Sequence, residues 1–147
     1  MSPLFSSLCS LPRFSGVLPD EERAIVYRAI GYVKNGFDEP ASPSEIRAVE
    51  SLVVIDPSLV AGLQGLEPGQ RIMIVFCFHR SEGFDLLQHP QGDPNRPRRG
   101  VFALRSPRRP NPIGVTVVDL VAIQANVLRV QGLDAINGTP VLDLKPA

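Results

Sequence analysis

VTVVDLVAIQANVLRV, residues Val115–Val130, is the stretch whose reading decides the fold. Two runs of β-branched and aliphatic residues, Val115–Ile123 and Val127–Val130, flank a short polar break at Gln124–Asn126, which predicts a β-hairpin. Downstream, Asn137-Gly138 separates runs that begin at Leu133 and Thr139. Asn-Gly favours a two-residue turn with positive φ at both positions, so a second hairpin is predicted there. Upstream, Arg71–Phe78 (RIMIVFCF) is a near-continuous apolar run of strand length and the foremost core-strand candidate. Ile25–Val33 (IVYRAIGYV) predicts a strand with a bulge at Gly31, Leu52–Ile55 another, and Val101–Leu104 a further one. Ser42 and Glu45 have capping-box spacing with Pro43 at the first helical position, which predicts a brief helix to about Val49. Asp56-Pro57 starts a second short helix through Leu63, and Glu67–Gln70 (EPGQ) is a turn. Short strands, hairpins and single-turn helices add up to a mainly β domain, a small closed or nearly closed β-barrel.

The 147 residues fit one domain with a real core, and 15 prolines argue against a helical bundle. Residues 1–24 are expected to form a loose terminal arm and residues 25–147 the barrel. Met1–Pro19 lacks a charged start and a continuous apolar centre, so it does not read as a signal peptide. No apolar run approaches the length that spans a bilayer. Cys9 and Cys77 sit in unlike surroundings without metal-ligand spacing, Cys77 reading as a small buried hydrophobe. No disulfide and a reducing, cytoplasmic location are expected.

Net charge is zero, but the charges are unevenly placed. From His79 to Pro110 seven arginines (Arg80, Arg96, Arg98, Arg99, Arg105, Arg108, Arg109) face three acids (Glu82, Asp85, Asp93), a local excess of four. Such a pattern focuses an anion onto one face of a neutral molecule. Part of that segment, Gly100–Gly114 (GVFALRSPRRPNPIG), is stiffened by Pro107, Pro110 and Pro112, which set their own φ and drive the preceding residues out of the helical region. A preordered loop holds Arg105, Arg108 and Arg109 in fixed directions, as a binding surface needs; a rigid, solvated crossover is the other reading. Gly83–Arg99 is long for a loop, and long ordered loops tend to be functional.

Several chemistries are absent from the sequence. No glycine-rich fingerprint joins a strand to a helix, no P-loop occurs, and neither histidine has the spacing of a metal motif. Ser106, between Arg105 and Pro107, is no nucleophile elbow. What remains is a set of polar groups at predicted strand ends: His79, Arg80, Arg105 and Asp134. Arginine offers a planar fork to carboxylate or phosphate, while Asp134 can accept hydrogen bonds from a ribose or an amine, or simply brace a turn. His89 has no partner that spacing identifies.

Val101–Leu120 (VFALRSPRRPNPIGVTVVDL), Gly132–Pro146 (GLDAINGTPVLDLKP) and the strand ending FHR at Phe78–Arg80 resemble the TrmO family (YaeB-like) of S-adenosyl-L-methionine-dependent tRNA adenine N6-methyltransferases. The similarity covers about Tyr27–Pro146. It implies a small β-barrel methyltransferase, generally a homodimer, that holds S-adenosyl-L-methionine in a cleft near the subunit interface. The acceptor it implies is threonylcarbamoyladenosine beside the anticodon of tRNA. Carried over by position, the donor site comprises His79, Arg80, Arg105, Val115, Gln131, Gly132, Leu133 and Asp134, with backbone as important as side chains. Arg98, Arg99, Arg108, Arg109 and Asn111 are expected to contact RNA, and no metal is expected. Some members have Gln at the position of Arg80; the family's early Pro-Arg-Gln segment has no clear equivalent; larger members continue beyond Lys145-Pro146. No residue is assigned as general base. Two other functions stay open: methylation of a small molecule, and donor binding without catalysis.

Overall fold

The computed structural model describes residues 24–147. The expected terminal arm lies outside the described residues apart from Ala24. Among the described residues there are eight strands: β1 (Gly31–Lys34), β2 (Glu50–Ile55), β3 (Arg71–Cys77), β4 (Leu87–Gln88), β5 (Arg99–Gly100), β6 (Ile113–Gln124), β7 (Val127–Gln131) and β8 (Pro140–Pro146). Six close into an antiparallel barrel in the order β1-β2-β7-β6-β3-β8, and β4 pairs with β5 as a separate ribbon. Closure satisfies both edges of every barrel strand, which an open sheet of this size could not do.

Alternation makes the barrel. In β2 and β3 every second side chain is buried, and the first eight residues of β6 follow the same rhythm. The inward set, including Val33, Val53, Ile72, Ile74, Phe76, Val118, Leu120, Leu128, Val130 and Val141, forms one continuous core. The 12-residue β6 is the backbone of the sheet, pairing with β3 from Arg71↔Asp119 to Cys77↔Ile113 and with β7 across the predicted hairpin. Bulges between Leu120 and Ala122 and between Val75 and Phe76 bend these strands towards closure.

Both short helices stand where expected. Helix α1 (Pro43–Arg47) carries the full capping box: Ser42 Oγ accepts from Glu45 N, and Glu45 Oε2 accepts from Ser42 N. It stops at Arg47 rather than near Val49, because Glu50 already begins β2. Buried Ile46 fixes α1 to the domain. Asp56 caps a 3₁₀ turn over Pro57–Leu63.

Three expectations are corrected. The first strand starts at Gly31, not Ile25, and Ile25, Val26 and Tyr27 are largely exposed. Gly31 is not a bulge but a close approach: a Cβ there would run into the carbonyl oxygen of Val54 on β2. Val101–Leu104 is not a strand. Gly100 ends β5, Val101–Ala103 forms a 3₁₀ turn, and of that run only Val101 is buried, its N–H donated to Leu86 O. Asn137-Gly138 is not a hairpin turn either. Thr139 N donates to Ile136 O, and only Gly138 of the pair has positive φ (81°), the arrangement of a type II turn. The Asn137 side chain explains the difference: Oδ1 accepts from Asn35 N and Nδ2 donates to Asp38 Oδ1, so it knits two loops instead of reversing a ribbon.

Candidate functional site

One groove of about 1650 Å³ opens at the barrel rim. Its floor comes from Phe76, Phe78 and the first residues of β6, Ile113–Val117; one side is α1 with Gly132 and Asp134 from the segment after β7; the other is the arm from Asp85 to Arg109. Register builds the floor. Gly114 lies opposite Phe76, and a Cβ at Gly114 would sit 2.6 Å from the Phe76 ring and 2.8 Å from the Phe78 ring. The missing side chain admits both rings, which meet edge to face at 5.2 Å and 77°.

Asp134 is the fixed charge of the groove. Thr116 Oγ1 donates to its Oδ1 at 2.5 Å and Arg47 to its Oδ2 at 2.7 Å. Thr116 faces inward on β6 between Gly114 and Val118, while Arg47 occupies the last turn of α1, whose carbonyl accepts from Gln131 Nε2 at 2.8 Å. The carboxylate is therefore aimed by two elements before any ligand arrives. Gly132, with φ of 98°, lets the chain leave β7 and deliver Asp134 in a conformation that other residues rarely adopt.

The arm is tied by side chains bonded to carbonyls. Arg108 donates to Glu82 O at 2.9 Å and pairs with Asp85 at 3.3 Å; Arg109 donates to Leu104 O at 2.9 Å and Ser106 O at 3.3 Å. Gln88 Nε2 reaches Asp85 O and Arg108 O, and Ser81 Oγ reaches Pro107 O. His89 Nδ1 lies 2.8 Å from Arg96 O, and since a carbonyl only accepts, Nδ1 is the donor. By contrast, the side chains of Arg96, Arg98, Arg99 and Arg105, all lining the groove, make no ion pair or hydrogen bond among the described residues.

Of the expected donor residues, the structure brings Arg105, Val115, Gly132 and Asp134 into this groove. The other four do not line it. His79 and Arg80 follow β3 into a neighbouring cluster, where Arg80 donates to Asp38 O at 2.8 Å and pairs with Glu39 at 3.1 Å. Gln131 braces α1, and Leu133 is fully buried in the core. Of the expected RNA contacts, Arg98 and Arg99 are exposed on the groove, Arg108 and Arg109 hold the arm, and Asn111 is exposed on the proline loop. Thr116, Arg47 and the Gly114–Phe76–Phe78 floor were not singled out by the sequence. A threonine at an inward position of an apolar strand, and a glycine two residues before it, were the available signals.

Two carboxyls elsewhere are held below the usual carboxylate range. Asp56 is lowered by hydrogen bonds from the Ser58 N–H and then its hydroxyl, and Asp143 chiefly by its hydrogen bond from Lys145. Among the described residues no three His, Cys, Asp or Glu side chains converge as a metal would require. No helix among them is long and apolar enough to cross a membrane.

Fold and groove define a class: a small closed barrel with a basic, aromatic-floored cleft at its rim, of a size for nucleotide-scale ligands. Residues 31–147 match the model of the tRNA-methyltransferase O N-terminal domain, and the chain belongs to the TrmO family. A probable S-adenosyl-L-methionine-binding protein of Pyrococcus abyssi (strain GE5 / Orsay) is 39% identical over 126 residues, 83% of this chain and 67% of that protein. Another probable S-adenosyl-L-methionine-binding protein, VirR of Rhizobium radiobacter, is 36% identical over 133 residues, 88% of this chain and 74% of that one. The crystal structure of TrmO from Pseudomonas aeruginosa is similar with a TM-score of 0.66 at 33% identity, over 84% of this chain and 56% of that chain. The chain thus spans little more than half the length of that solved TrmO protein.

Proposed function

We propose that the groove binds S-adenosyl-L-methionine and that the protein transfers its methyl group to N6 of threonylcarbamoyladenosine beside the anticodon of tRNA. The observation that carries this reading is the meeting of Arg105, Val115, Gly132 and Asp134, drawn from three separate stretches of chain, around one groove. The size and lining of the groove support this reading. A pocket for one drug-sized molecule runs to ~300–1000 Å³, so this groove leaves room for a donor and an incoming base together. When bound, the donor supplies an electrophilic methyl group on a sulfonium centre.

The residues of the chain have binding and positioning roles. Asp134, prealigned by Thr116 and Arg47, keeps carboxylate lone pairs that can accept from a ligand hydroxyl or amine. Arg105 offers a fork to a carboxylate. Ile113, Val115 and the Phe78 ring provide apolar surface for a heterocycle. Alignment of acceptor and donor in such a preformed site lowers the barrier without covalent participation by the protein.

Calorimetry with S-adenosyl-L-methionine, followed by labelled-methyl transfer to tRNA prepared with and without the threonylcarbamoyl group, tests the reading. Binding is expected, with transfer only to the modified tRNA. Asp134→Asn keeps the shape and removes the charge, and is expected to weaken donor binding about tenfold to a hundredfold. No heat with the wild-type chain would overturn the proposal. Transfer to a small acceptor and not to tRNA would replace its second half.

A further inference from the structure

We propose that Phe102 is a stacking platform for an unpaired RNA base, flanked by Arg98 and Arg99 as phosphate contacts, so that the arm reads single-stranded loops and not duplex. The inference rests on the RNA-directed reading above and adds the part of the acceptor that this face engages.

The ring is presented by its neighbours. Val101 is 1% exposed and donates its N–H to Leu86 O, whereas Phe102 is 79% exposed on the 3₁₀ turn that follows. Leu104 N donates back to Val101 O, closing the turn that carries Phe102. A buried anchor next to a protruding aromatic on a hydrogen-bonded turn loses little entropy when a partner covers it. Water is a poor partner for such a ring, and Phe84, Leu86 and Leu87 of the same arm are exposed as well.

Charge selects the occupant. Arg98 and Arg99 precede the turn, and neither is neutralised among the described residues; Arg108 and Arg109 are already spent on holding the arm. A protruding aromatic three residues along the chain from an uncompensated arginine pair matches a flexible polyanion with exposed π faces, which is single-stranded RNA. Stacked duplex bases present no free face. A second copy of this chain docked with Arg98 and Arg99 on the two-fold axis would set the arginines of one protomer against those of the other, which is electrostatically unfavourable.

Binding of the full-length chain to two labelled RNAs by fluorescence anisotropy, at several salt concentrations, tests the idea: an anticodon stem-loop, and a blunt duplex of equal length. Phe102→Ala is expected to weaken stem-loop binding about tenfold or more, leaving duplex binding and the salt slope unchanged, while Phe102→Trp restores the affinity. Arg98→Ala with Arg99→Ala should weaken both RNAs and reduce the single-strand slope of log Kobs against log[salt] by about 0.7 per arginine. Stem-loop binding by Phe102→Ala equal to wild type overturns the inference, as does sedimentation showing that the substitution dissociates a dimer. If the wild type binds neither RNA while still binding the methyl donor, the RNA-directed reading itself fails, a result distinct from Phe102-independent binding.

Discussion

In the barrel, Val33, Val53, Ile74, Leu128, Val130 and Val141 are fully buried, whereas from Gly83 to Pro112 only Pro90 and Val101 are buried. The barrel is held by apolar area withdrawn from water, and its strands repeat one inside-outside rhythm. The arm has almost no core and is held by side-chain donors reaching main-chain carbonyls, Arg108 and Arg109 above all. The groove lies between these two kinds of structure. Its floor and its fixed carboxylate belong to the rigid body, and its free arginines to the more loosely held wall. A ligand site so divided can keep one group precisely aimed while the opposite side adjusts.

The sharpest way to break that comparison is one truncation in each region. Ile74→Ala, at the fully buried centre of β3, should cost about 2–5 kcal/mol of global stability, read as a lower denaturant midpoint at unchanged m-value. Arg109→Ala removes a charged donor shared by Leu104 O and Ser106 O. It should cost about 1.5–3 kcal/mol locally, seen as faster amide exchange at Ala103–Arg105, with the barrel amides and the global midpoint little changed. Equal shifts in barrel and arm protection would mean that the two regions unfold as one unit.

The same division explains what could be read from the sequence. Strands whose period comes from facing a core were legible: Arg71–Phe78, the hairpin from Val115 to Val130, and the closed barrel they imply. So were the two caps at Ser42 and Asp56, because capping is a local hydrogen-bond problem. Val101–Leu104 was read as a strand because four apolar residues carry no period; its true role depends on Leu86, fifteen residues upstream of Val101. Asn137-Gly138 looked like a local turn, but Asn35 and Asp38 recruit Asn137 from about a hundred residues away. Arginines in one basic segment look alike on paper. Which of them hold the arm and which face the groove is decided by carbonyls at Glu82, Leu104 and Ser106 that no spacing rule connects to them. The resemblance placed Arg105 and Asp134 together; it gave no sign of Thr116 and Arg47, the residues that aim the carboxylate.

The smallest expected effect concerns the barrel side alone. Asp56 Oδ1 accepts from Ser58 N at 2.9 Å and from Ser58 Oγ at 2.8 Å, and these bonds lower its folded pKa. An acid lowered in the folded state is protonated first in the unfolded chain as pH falls. Its contribution is therefore complete above the ordinary aspartate value of about 3.9 and is lost as pH drops through the lower folded value. Denaturant titrations of wild type and Asp56→Ala from about pH 6 to pH 2 should give stability curves that are parallel at the neutral end and converge at the acid end. Donor affinity measured at neutral pH should be the same for both, since Asp56 caps a turn that does not line the groove. A loss of donor binding in Asp56→Ala would mean that the barrel transmits disturbance at this turn across to its rim, and the separation of rigid floor from adjustable wall would have to be redrawn.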